Sequence, residues 1–67
     1  MKTKDILAGI DIIRKYVPEK DKGGWYFSAE HDIIWFGDEE WVTDKKDITT
    51  LQELGWFIDE DSWACHT

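Results

Sequence analysis

Cysteine occurs once in this chain, at Cys65, and proline once, at Pro18. A lone thiol excludes an intrachain disulfide, so a chain of 67 residues needs dense apolar packing, a metal or a partner to hold its fold. Long apolar runs are also missing. The apolar positions after Lys4 are interrupted by Asp11, Arg14 and Lys15. Neither a signal peptide nor a membrane-spanning helix of roughly twenty apolar residues is therefore expected, and the expectation is a soluble, cytoplasmic protein. Cations become scarce after Lys22. Residues 23–67 hold only Lys45 and Lys46 against eleven carboxylates, a net charge of −9, whereas residues 1–22 carry a net +2. A surface so poor in cations repels phosphate, which argues against direct nucleic-acid binding and favours a basic protein partner.

Aromatic residues are what the chain has in abundance. Trp25, Trp35, Trp41, Trp56 and Trp63 stand with Tyr16, Tyr26, Phe27, Phe36 and Phe57. Each buries roughly 150–250 Å² when enclosed, enough to build a core that a chain of this length could not make from aliphatic residues alone. With so much apolar content, the high charge does not imply disorder.

The apolar pattern predicts elements in the order helix–strand–strand–helix–strand–strand. Ile6, Leu7, Ile10, Ile13 and Val17 recur at helical spacing from Thr3 to Val17, with Thr3 as N-cap and Pro18 as the stop. A polar turn with Gly23 and Gly24 leads to a strand from Trp25 to Ala29. Glu30-His31-Asp32 then links it to a second strand, Ile33 to Phe36, which Gly37 breaks. Thr43 or Asp44 caps a second helix whose stripe is Ile48, Leu51 and Leu54, and Gly55 ends it. Trp56-Phe57-Ile58 and Trp63-Ala64-Cys65 form a second hairpin around residues 59–62. The expected fold is α+β: a single domain, 1–67, with a four-stranded antiparallel sheet and both helices packed on one face. Gly24-Trp25-Tyr26-Phe27 and Gly55-Trp56-Phe57-Ile58 suggest a degenerate αββ repeat over 3–37 and 43–66.

Ser28-Ala29-Glu30-His31-Asp32-Ile33-Ile34, then Leu51-Gln52-Glu53-Leu54-Gly55-Trp56 and an acidic turn running into Trp63, resemble a group of small acidic proteins common in bacteriophage genomes. The resemblance spans the chain from about Ile12 to Ala64. It implies a phage or prophage setting and a host bacterial cytosol. The group has no established activity, so the resemblance transfers no catalytic residue.

The residues that could carry chemistry do not assemble into a recognised pattern. Cys65 and His66 are adjacent, and on a strand they face opposite ways, which is poor geometry for one zinc ion. His31 between Glu30 and Asp32 reads as a solvated turn residue. A Cys65–His31 nucleophilic pair lacks an orienting group and an oxyanion pocket. Asp59, Glu60 and Asp61 fall too near Thr67 for an EF-hand calcium loop to finish. Gly23-Gly24 has no phosphate-loop motif around it. No enzyme, metal or cofactor is expected, and a small thiol or metal-dependent enzyme is the remote alternative.

Alternation along the strands puts apolar side chains on both faces of the sheet, while two helices cover only one. The surplus face is either a binding surface, a dimer interface or a surface covered by Trp41 and the 37–43 loop. The leading expectation is a non-enzymatic phage-type interaction protein, an anti-CRISPR-like or DNA-mimic inhibitor. Its carboxylates at Asp32, Asp38, Glu39, Glu40, Asp59, Glu60 and Asp61 would stand in for phosphates on a basic, nucleic-acid-binding host protein, with exposed Trp41 as anchor. The alternatives are a self-associating accessory phage domain, monomer or homodimer, and a surface charge that confers only solubility.

Overall fold

The computed structural model describes residues 2–18 and 27–67. Its elements are α1 (Thr3–Arg14), β1 (Phe27–Glu30), β2 (Ile33–Asp38), α2 (Lys45–Leu54), β3 (Phe57–Asp59) and β4 (Ser62–His66). The four strands form one antiparallel sheet in the order β1-β2-β4-β3. The two hairpins thus meet through their second strands, and β1 and β3 are the edges. The α+β architecture expected from the sequence is present. Trp25, Tyr26 and the preceding glycine turn, where the first strand was expected to begin, lie outside the described residues.

Both helices lie on one face. Ile13 of α1, Leu51 of α2, Val42, Trp56, and Trp63 and Cys65 of β4 form the buried cluster, with Ile34 and Phe36 of β2 packed against it. The helix ends differ instructively from expectation. Thr3 is the first helical residue rather than the cap; Lys2 holds the cap position, without a side-chain hydrogen bond. The helix stops at Arg14, before Pro18 forces it to, and Tyr16 and Val17 continue in tighter turns that bond Ile13 and Arg14 carbonyls. Tyr16 leaves the helical path and donates its hydroxyl hydrogen to Asp47 of α2. At α2 the choice between Thr43 and Asp44 falls to Asp44, whose carboxylate accepts from the Lys46 amide at 2.8 Å. Gly55 closes the helix at φ 101°, with the Trp56 amide returning to the Leu51 carbonyl. This C-terminal motif commonly carries an apolar contact between those two positions, and here both Leu51 and Trp56 are buried.

Gly37 does not break β2. Trp35 pairs with Ala64 and Asp38 with Ser62, so Phe36 and Gly37 together oppose Trp63 in a β-bulge, with Gly37 at φ 84°. A Cβ at Gly37 would meet the Ile13 side chain at 2.5 Å, so the bulge presses bare backbone against α1. The extra residue also returns Asp38 to the face that Trp35 occupies, extending β2 two residues beyond the predicted end.

Candidate functional site

The face of the sheet opposite the helices follows from register. Ile34, Phe36, Trp63 and Cys65 point into the core, so their strand neighbours point away. Three rows result. Ser28, Trp35, Ala64 and Phe57 cross the middle. Glu30, Ile33 and His66 lie toward one end, and Asp38, Ser62 and Asp59 toward the other. An apolar centre of Ile33, Trp35 and Phe57 is thereby framed by carboxylates. Ala64, between two aromatics, has no exposed area at all.

Trp35 fixes the geometry of this face. Its indole N–H donates to the Asp59 carboxylate at 2.9 Å, reaching from β2 across β4 to β3. The small side chain of Ala64 lets the ring pass over the intervening strand. At the far end the His66 ring lies 5.0 Å from that of Phe57. Beside Trp35 an open groove of about 440 Å³ is lined by Ser28, Glu30, Asp38, Glu60, Asp61 and Ser62, together with Trp35 and the Gly37 backbone.

The structure brings six of the expected residues to one end of the sheet. The Glu39 amide donates to the Asp61 carbonyl at 3.0 Å, which ties the turn after β2 to the β3–β4 turn. Asp38, Glu39 and Glu40 therefore stand beside Asp59, Glu60 and Asp61. The Asp38 carboxylate accepts from the Glu40 amide at 2.9 Å. Glu39 is pushed above the ordinary 4.5 of a glutamate, first by partial loss of water, then by its hydrogen bond to the Asp61 carboxyl and by the charges of Asp61, Asp38 and Glu40. The β3–β4 turn has two residues, Glu60 at φ 50° and Asp61 at φ 63°. Such turns favour asparagine and glycine, and two acidic side chains hold the left-handed backbone at a cost.

Two expected residues are not part of that group. Asp32 lies in the β1–β2 turn, at the other end of β2, about 20 Å away at strand rise. Trp41, expected as an exposed anchor, is half-buried against the core cluster, and a Cβ on Gly37 would meet its ring at 3.3 Å. Val42 beside it is buried in the core. The 37–43 loop therefore folds against the helix side and not over the opposite face. Five lining residues of the groove, Ser28, Glu30, Trp35, Gly37 and Ser62, are not among the site residues expected from the sequence. Alternation sets Trp35 opposite Ile34 and Phe36 without saying which face the helices cover, and its tie to Asp59 depends on strand order. Glu30, expected in the turn, ends β1 and points onto the open face.

Cys65 is fully buried on the helix side, and burial pushes its thiol above the ordinary 9.0. His66 faces the opposite way, as adjacency on a strand requires. Among the described residues no group of three or more His, Cys, Asp or Glu side chains could hold a metal ion, and no helix is long and apolar enough to cross a membrane.

Charge is sorted between the two layers. The described basic residues, Lys2, Lys4, Arg14, Lys15, Lys45 and Lys46, all lie in or beside the helices, where Asp5, Asp11, Asp44, Asp47 and Glu53 leave a net +1. The sheet and its connecting turns hold Glu30, Asp32, Asp38, Glu39, Glu40, Asp59, Glu60 and Asp61 and neither lysine nor arginine, a net −8. Compared with known proteins, the chain matches no family model, no curated protein and no solved structure.

Proposed function

We propose that this is a non-enzymatic, phage-type interaction protein whose open sheet face occupies a basic surface on a host nucleic-acid-handling protein. The observation that carries this reading is the sorting of charge: a layer of net −8 with no described lysine or arginine, around a half-buried apolar centre at Ile33, Trp35 and Phe57. Carboxylates in that arrangement steer a positive surface onto the face, and the aromatics supply the area that is desolvated on contact. The partner surface that fits is one built to take phosphates, which makes the protein a competitor for nucleic acid. The acidic turn at Glu60 and Asp61 supports the same reading, because a strained backbone that carries charge persists where the charge has a use.

A second copy of the chain is a poor occupant for this face at neutral pH. Symmetric pairing would set two layers of net −8 against each other. Light scattering at neutral pH and low salt is expected to give a monomer.

The experiment is capture of partners from bacterial lysate at low salt, by the native chain and by a variant with Asp38, Glu60 and Asp61 changed to lysine. The native chain is expected to retain a basic nucleic-acid-binding protein that nucleic acid displaces and added salt releases, and the variant is expected to lose it. Retention of the same protein by the variant contradicts the reading.

A further inference from the structure

We infer that the groove beside Trp35 is an arginine-binding subsite, taking one guanidinium group of the basic partner between the indole and the surrounding carboxylates. The inference rests on the docking reading above and names the chemistry that reading requires at one point on the face.

The groove has the volume of a small-ligand site, about 440 Å³, and its wall is aromatic. The Trp35 N–H is already committed to Asp59, so the ring is held in place across the sheet and presents its π surface without an unpaired donor of its own. Around it stand carboxylates with free lone pairs. Asp38 uses one oxygen on the Glu40 amide and keeps the other. Glu30 is 70% exposed and has only a 4.0 Å approach to His31. Glu60 is exposed at the turn. Among the described residues, every lysine and arginine lies in or beside the helices on the other face, and the one described ion pair of these acids is the 4.0 Å approach of Glu30 to His31.

A planar guanidinium satisfies all of these features together. It stacks on an indole face, and its fork of N–H donors bonds carboxylates lying in its plane on more than one side. An ammonium is a compact, strongly hydrated point charge that gains less from the ring and cannot bond bidentately. The groove should therefore discriminate arginine from lysine. A purely electrostatic acidic surface would not.

The test uses the full chain and two short peptides, acetyl-Gly-Arg-Gly-Arg-Gly-amide and its lysine counterpart, followed by amide and indole N–H chemical shifts at low salt. The arginine peptide is expected to bind about threefold to tenfold more tightly than the lysine peptide, because only the guanidinium combines planar stacking with bidentate bonding. Its shifts should concentrate at Ser28, Glu30, Gly37, Ser62 and the Trp35 indole. Trp35→Leu should erase the preference, and Glu30→Gln with Asp38→Asn, which leaves the core untouched, should weaken the arginine peptide several-fold. Equal binding of the two peptides, with shifts spread over every acidic turn including Asp32, overturns the subsite and leaves the docking reading standing. Arginine binding that survives the Glu30 and Asp38 changes also overturns the subsite alone. Failure of both peptides to bind at low salt overturns the subsite, and the docking reading then stands or falls on the lysate capture alone.

Discussion

At Gly9, α1 meets the Trp56 indole with no room for a methyl group: a Cβ there would lie 2.0 Å from the ring nitrogen. Trp56 cannot withdraw, because it is 2% exposed and its N–H reaches back to the Asp5 carbonyl at 3.3 Å. Glycine inside a helix normally costs about 1 kcal/mol against alanine. Here that preference is reversed, and Gly9→Ala is expected to destabilise by about 1–3 kcal/mol, the cost typical of overpacking a core, read as a lower denaturant midpoint at unchanged slope. This contact was not legible in the sequence. The stripe of Ile6, Ile10 and Ile13 indicates that α1 buries a face, but nothing in the spacing says which aromatic sits against it. Trp35 illustrates the same limit on the other side of the sheet. Alternation places it opposite Ile34 and Phe36, yet its bond to Asp59 exists only because β4 lies between β2 and β3 and carries alanine at position 64.

The elements follow the sequence closely where a residue has a single conformational role and less closely where two interactions compete. Gly55 ends α2 as a left-handed cap, and Asp44 begins it. Gly37 has the same chemistry as a strand breaker, but in place it makes a bulge, because β4 offers partners on both sides of it. The β3–β4 turn is the clearest conflict between stability and charge. Changing Glu60 to Asn and Asp61 to Gly supplies the residues that a two-residue turn with left-handed backbone favours. The double change is expected to raise stability by about 1 kcal/mol or more while weakening partner binding. A stability gain without loss of binding would remove these two acids from the site.

The tie between α1 and α2 sets a pH dependence with a definite sign. Asp47 accepts from the Tyr16 hydroxyl and lies 3.4 Å from the Lys15 ammonium. The Tyr16 bond, with help from Lys15, holds its carboxyl below the ordinary 3.8, whereas partial burial acts the other way. Its contribution to stability is therefore present above that value and is lost as pH falls through the lowered one. Tyr16 is pushed from 10.0 up to about 12, first by the same hydrogen bond. The phenol's contribution is fully present below pH 10 and is lost as pH rises toward 12. Glu39 runs opposite to Asp47: its raised value means that ionisation opposes folding as pH rises through it. Glu39→Gln is expected to raise the melting temperature at neutral pH, and Tyr16→Phe to remove the loss between pH 10 and 12, both read from thermal melts across pH.

Across the whole molecule, charge is split along the chain, and folding turns that into a split between layers. The helices α1 and α2, which carry the described cations, pack together although some 30 residues separate Arg14 from Lys45. The carboxylates of the two hairpins meet because β2 pairs with β4. The first follows from packing both helices on one face, which the hydrophobic pattern already indicates, whereas the second is not visible without the strand order. The measurement that tests the account most directly is the salt dependence of affinity for the captured partner, by calorimetry, for three chains: native, Asp38→Asn with Glu60→Gln and Asp61→Asn, and Asp11→Asn with Glu53→Gln. A steep loss of affinity with salt is expected for the native chain and for the helix-layer variant, and weaker binding with a shallower dependence for the sheet-layer variant. Equal affinity and equal slopes for all three chains would contradict that expectation.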